Sequence, residues 1–75
     1  MAKLTQREKI IRHLEAFETI TPMEAILDYG IMRLASRISE LRKEGYIIDT
    51  EMVHGYNRFD EKTRYAKYSL KGWTK

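Results

Sequence analysis

Residues 21–46, TPMEAILDYGIMRLASRISELRKEGY, decide the fold. Thr21 is followed three residues later by Glu24, the pairing in which each side chain bonds the other's backbone N–H at a helix start. Pro22 then takes the first helical position, where its missing N–H costs nothing. A helix of about two turns follows, with Ala25, Ile26 and Tyr29 facing inward. Gly30 breaks the pattern and supplies a turn at positive φ. A longer helix is expected over residues 31–44, because Leu34, Ile38 and Leu41 recur at spacings of four and three and form an apolar stripe. Arg42 and Lys43 in the last turn, and Gly45 just beyond it, mark its end.

The flanks extend this pattern. Upstream, Thr5 and Glu8 repeat the reciprocal cap, and a helix is expected over residues 6–17. Ile10, Leu14 and Phe17 share its inner face with Ile11 beside them, while Arg7, Lys9, Arg12, Glu15 and Glu18 lie largely outside. Residues 18–20 read as a connector in which Ile20 forms a small β-bridge. Downstream of Gly45 the period shifts from helical to alternating over 46–53 and again over 64–70. Residues 54–63 between them are rich in Gly, Asn and Asp, which marks a turn region and a hairpin with a long tip. Ile48, Tyr68 and Leu70 are expected to close the core, and residues 71–75 carry no pattern of their own. An isolated two-stranded hairpin is unstable and must pack on the helices. The fold class is therefore α+β, mainly helical: three helices followed by a C-terminal β-hairpin wing.

Seventy-five residues suit one small domain, 1–75, with the helical pair at 21–44 and the wing at 46–70. A chain of this length buries only about 60% of its unfolded surface, so its core is thin. Cysteine is absent, which leaves no disulfide or thiolate metal site. No apolar run approaches the roughly 20 residues that span a bilayer. The opening MAKLTQREK also lacks the apolar core of a signal peptide, so a soluble, cytoplasmic protein is expected. Net charge is only +3 but unevenly spread. Residues 1–56 hold eight Lys and Arg against nine Asp and Glu, and residues 57–75 hold six against two. A localised basic element suits a polyanion, although lysines also protect sheet edges.

Enzyme chemistry has no foothold here. No nucleophile stands with a base and an orienter, and there is neither a phosphate-binding glycine loop nor a paired-carboxylate site. His13 and His54 have no acidic cluster at ligand spacing, so they read as surface or boundary residues rather than metal ligands. No cofactor and no metal are expected.

The polar face of the third helix carries the leading candidates. Ser36 projects almost opposite the apolar stripe, with Met32, Arg33, Ser39, Glu40 and Lys43 around it and Arg37 at the border. Two helices joined by a tight turn can place such a face in a DNA major groove. Arg33 and Arg37 at i, i+4 would point to one groove, where an arginine donates two parallel hydrogen bonds to a guanine. Along the hairpin, Tyr56, Asn57, Arg58, Lys62 and Arg64 interleave aromatic and basic groups suited to backbone or minor-groove contact, with Lys67 as a further phosphate partner. Asp60 and Glu61 oppose deep burial of the whole tip in DNA. The N–H groups after Thr21 could seat a phosphate. Each feature also has a purely structural reading: a solvated helix face, a polar loop, a simple cap. Trp73 either packs back on the domain or anchors a dimer contact.

The T-P-x-E-A opening, the G-I-x-R-L-A turn, the R-I-x-x-L-R-K-E-G-Y run and the closing RYAKYSL together resemble the small winged helix-turn-helix DNA-binding domains of bacteriophage and prophage proteins. The resemblance spans about residues 5–70. It implies a bacterial or phage origin, double-stranded DNA as ligand, and a role as transcriptional regulator or excisionase-like architectural factor. One departure stands out: helix-turn-helix motifs place glycine four residues after the inward alanine, and here Tyr29 holds that slot with Gly30 one later. Ala35 and Ile38 still fall where buried residues are expected. A single small module covers only about 600–1,000 Å² of DNA, so a homodimer or a cooperative array on DNA is expected. The alternative is a winged-helix interaction module that binds and modulates a host protein through Met23, Met32, Tyr56, Phe59 and Trp73. An RNA-binding winged helix is a third option, though no ribonucleoprotein signature is present.

Overall fold

The computed structural model describes residues 3–74. The elements run α1 (Gln6–Phe17), β1 (Thr19–Ile20), α2 (Pro22–Tyr29), α3 (Leu34–Lys43), β2 (Tyr46–Tyr56) and β3 (Lys62–Trp73). Among the described residues no helix is long and apolar enough to cross a membrane.

Local chemistry starts the first two helices where the sequence places them. Thr5 and Glu8 exchange hydrogen bonds at the head of α1, and Thr21 and Glu24 do so at α2. The bonds from Thr5 hold the Glu8 carboxyl below its ordinary range. Gly30 closes α2 in the left-handed region, at φ 68° and ψ 21°.

The third helix begins later than residue 31. Beyond Gly30 the Ile31 N–H reaches back to the Ala25 carbonyl at 3.0 Å, and its side chain is fully buried. Keeping that isoleucine inward commits residues 31–33 to a link. Arg33 stands outside the helix at φ −121°, ψ 59°, and α3 starts at Leu34. Leu34, Ile38 and Leu41 form the buried stripe as expected, but Ala35 is exposed.

The strands form one antiparallel sheet in the order β1-β3-β2. Ile20 pairs with Tyr68, so the connector contributes the third strand. Ten apolar residues make the core: Ile10 and Leu14 of α1, Ile20, Ala25, Ile31, the three of α3, Ile48 and Tyr68, with Leu70 packed against them.

Two inward assignments fail. Phe17 is 65% exposed, because α1 turns its Ile10, His13 and Leu14 face to the core and then reverses at Glu18, a left-handed residue. Ile26 is exposed as well, since this two-turn helix meets the core through Ala25, with Tyr29 half-buried.

His13, by contrast, is 3% exposed and is neither a surface nor a boundary residue. Its Nδ1 shares a 2.7 Å hydrogen bond with the Tyr29 hydroxyl, and its ring lies against Tyr29 and Phe17. Nε2 has no partner among the described residues. Burial first, then Asp28 and Glu24, pushes the Tyr29 phenol above its ordinary value. Tyr29→Phe would leave Nδ1 without a partner as well, and a buried polar atom without a partner costs about 1–3 kcal/mol. In a domain of this size that lowers the melting temperature by roughly 4 °C or more, measurable by circular dichroism.

The hairpin is longer and its turn shorter than expected. The ladder runs unbroken from Ile48↔Leu70 to Tyr56↔Lys62. Asn57 N–H bonds the Glu61 carbonyl, Asp60 N–H bonds the Asn57 carbonyl, and Asp60 takes φ 59°. That is a tight turn closed by one left-handed residue. At the other end, residues 71–73 belong to β3. Register shifts between Ile47 and Ile48, leaving Lys71 as the extra residue. Trp73 stacks on Tyr46 at 5.6 Å and donates through Nε1 to the Glu44 carbonyl, so it packs back on the domain. The expected span 1–75 includes residues 1, 2 and 75, which lie outside the described ones.

Candidate nucleic-acid interface

Helix α3 presents Ala35, Ser39, Arg42 and Lys43 outward, with Ser36, Arg37 and Glu40 half-buried. The outer face is therefore rotated from the expected one, away from Arg37 and Glu40. Those two meet at 3.2 Å, and Arg7 of α1 joins Glu40 at 3.9 Å and also pairs with Glu44. Arg37 and Glu40 are thus spent on the seam between α1 and α3. Arg33 is the N-cap, and its carbonyl accepts the Arg37 N–H at 3.2 Å. Its own φ and ψ are not helical, so its side chain does not follow the helical spacing to Arg37, and Met32 precedes the helix. Arg33 and Met32 are both exposed at its N-terminal end.

The helix N-termini differ. Glu24 Oε1 accepts from the Thr21 N–H at 2.9 Å, and the Thr21 hydroxyl lies 3.2 Å away. The Glu24 N–H bonds the Thr21 hydroxyl at 3.3 Å, so one of the N–H groups expected to seat a phosphate after Thr21 already has a side-chain partner. At α3 the cap residue Arg33 makes no side-chain cap bond, and no acidic residue stands in the first turn. The positive end of that helix dipole is left to solvent.

Arg42 fixes the angle between α3 and the hairpin. Its Nε and Nη2 donate to the Ile48 carbonyl at 3.1 and 2.6 Å, and Nη2 also donates to the Thr50 hydroxyl at 2.8 Å.

The hairpin sorts its charges by face. Directly opposed residues share a face in an antiparallel pair. The face that carries Ile48, Leu70, Thr50 and Tyr68 continues outward as Met52↔Ala66, His54↔Arg64 and Tyr56↔Lys62. The other face holds Asp49↔Ser69, Glu51↔Lys67, Val53↔Tyr65 and Gly55↔Thr63. The acids of the strands thus fall on one side, and Arg64, Lys62, Tyr56 and His54 on the other. Arg58 is exposed in the turn. The three ion pairs among the described residues lie at α1 and α3, and none involves Arg58, Lys62 or Arg64.

Asn57 has a structural task. Its Oδ1 accepts from Phe59 N–H at 2.8 Å and Glu61 N–H at 3.1 Å, and its Nδ2 donates to Glu61 at 3.0 Å. The side chain builds the turn instead of pointing away from it.

Ala35 and His54 join these surfaces without having been singled out. His54 was legible in principle, since counting rungs back from a turn at 57–61 sets it opposite Arg64. Among the described residues no group of three His, Cys, Asp or Glu could hold a metal ion. No curated protein and no solved structure matches the chain at a significant level. Residues 5–72 match the family model described as a winged helix-turn-helix domain.

Proposed function

Since the chain belongs to the winged helix-turn-helix domain family, we propose that it binds double-stranded DNA, with α3 in the major groove and the wing on the flanking backbone or minor groove. The observation that carries this reading is the sorted wing: Lys62 and Arg64 share one face, Arg58 sits in the turn, and the strand acids lie on the opposite side. Arg33, Ser36, Ser39 and Lys43 supply the groove contacts. The first turn of α3, which has no side-chain cap, takes a phosphate more readily than that of α2, which Thr21 caps. The role is that of a transcriptional regulator or excisionase-like factor of phage or prophage origin, acting in the cytoplasm as a dimer or cooperative array.

Fluorescence anisotropy of labelled duplex over a salt series tests the reading. Binding whose log K falls with log salt by about 0.9 per neutralised phosphate supports it, and a folded protein that binds no duplex at low salt overturns it. Within this scheme Arg33→Ala relaxes discrimination between sites, while Lys62→Ala weakens binding to all sequences alike. Equal effects of both on selected and random duplexes would remove the division of labour.

A second reading has one observation behind it. Met23, Ile26 and Leu27 leave an apolar stripe exposed on α2. Such a stripe suits a protein partner, as in an interaction module that modulates a host factor. Its members differ from the expected set, in which Trp73 is engaged with Tyr46.

A further inference from the structure

Resting on the DNA-binding reading, we propose that Phe59 is a wedge, which the wing inserts between stacked base pairs to bend the duplex.

Phe59 is 81% exposed, the highest value among the exposed large hydrophobics of the described residues. It sits in the turn at the outer end of the hairpin. From Thr50 to Tyr56 the ladder runs outward over about 20 Å, and the molecule is 43 Å along its longest axis. A phenyl ring so placed contributes nothing to the core.

The turn fixes the backbone that carries the ring. Asn57 Oδ1 accepts the Phe59 N–H, a second bond fixes Glu61, and Asp60 closes the turn in the left-handed region. Phe59 therefore meets its partner with its backbone already ordered, and little ordering is left for binding to supply.

Charge selects the partner. Arg58 precedes the ring, and Lys62 and Arg64 follow on one face of the strands. The Glu61 carboxylate is drawn to Asn57 Nδ2 at 3.0 Å. Asp60 follows the ring directly and keeps the rest of the turn out of the duplex. The ring alone therefore enters a base step, while Arg58, Lys62 and Arg64, in no ion pair among the described residues, take the phosphates. Apolar wedges of this kind unstack a step and kink the helix. Pyrimidine–purine steps yield most easily, so the wedge also favours sites by deformability.

The test uses the full chain on a duplex of about 30 base pairs, centred on a TA step carrying 2-aminopurine and end-labelled for energy transfer. Wild type should raise 2-aminopurine fluorescence and shorten the end-to-end distance. Phe59→Ala should keep the melting temperature and the salt slope, lose both signals, and bind about tenfold more weakly. Phe59→Leu should retain the bend. Wild-type binding without either signal, or a Phe59→Ala complex indistinguishable from wild type, overturns the wedge and leaves the DNA reading standing. The ring would then belong to a protein partner. No duplex binding at all overturns both.

Discussion

Ile31→Ala is expected to melt about 8 °C or more below the wild type, and to lose duplex binding at temperatures where the wild type binds. Ile31 is fully buried between α2 and α3, where its own N–H bonds the Ala25 carbonyl. Large-to-small changes at such sites cost about 2–5 kcal/mol, through lost burial and the cavity left behind. For a domain under a hundred residues each kcal/mol lowers the melting temperature by about 4–8 °C. Among the described residues ten apolar side chains are buried in the core, a small set that leaves little to absorb the loss. The binding loss follows from position, because Ile31 anchors the link that sets where α3 begins. Met32→Ala is the control. Its side chain is exposed, and its melting temperature should stay within about a degree of wild type. Equal effects at both positions would mean that the link is not anchored by Ile31.

The second large effect belongs to the wing. Replacing Arg58, Lys62 and Arg64 together with alanine should lower duplex affinity on the order of a hundredfold near physiological salt. The slope of log K against log salt should shrink by about 2.7, or 0.9 for each lost phosphate contact. All three residues are exposed, and none is in an ion pair among the described residues, so the fold should survive. Arg37→Ala offers the contrast. Arg37 is held by Glu40 at 3.2 Å, so its loss should alter the salt slope little. A triple variant with an unchanged slope would mean that the wing cations face away from the DNA.

Those expectations separate what was legible in the sequence from what was not. The caps at Thr5 and Thr21, the stripe Leu34, Ile38 and Leu41, and the positive φ of Gly30 were legible because their causes lie within four residues of each other. The short strand at Ile20 was expected from the resemblance to winged helices, whose first strand often forms such a bridge. The start of α3 was not legible: helical periodicity runs smoothly through residues 31–33, and only the tertiary burial of Ile31 takes them out of the helix. His13 was misjudged for a similar reason, since its partner Tyr29 is sixteen residues away. Hairpin length escaped because residues 54–56 and 62–64 form an exposed ladder, which needs no apolar alternation to exist. The candidate interface divides along the same line. Its basic wing was visible as composition, whereas the removal of Arg37 and Glu40 into a network with Arg7 depended on how α1 crosses α3.

The central claim is that one face of the molecule, made of the start and outer side of α3 together with the wing, meets duplex DNA. Titrating isotope-labelled protein with a short duplex, and following every backbone amide by nuclear magnetic resonance, tests it most directly. The account predicts that the largest shifts fall on Arg33, Ala35, Ser36, Ser39 and Lys43, and on the hairpin from His54 to Arg64, while the amides of α1 stay nearly still. Shifts gathered instead on Met23, Ile26 and Leu27 of α2, or none at all with a folded protein at low salt, would contradict it.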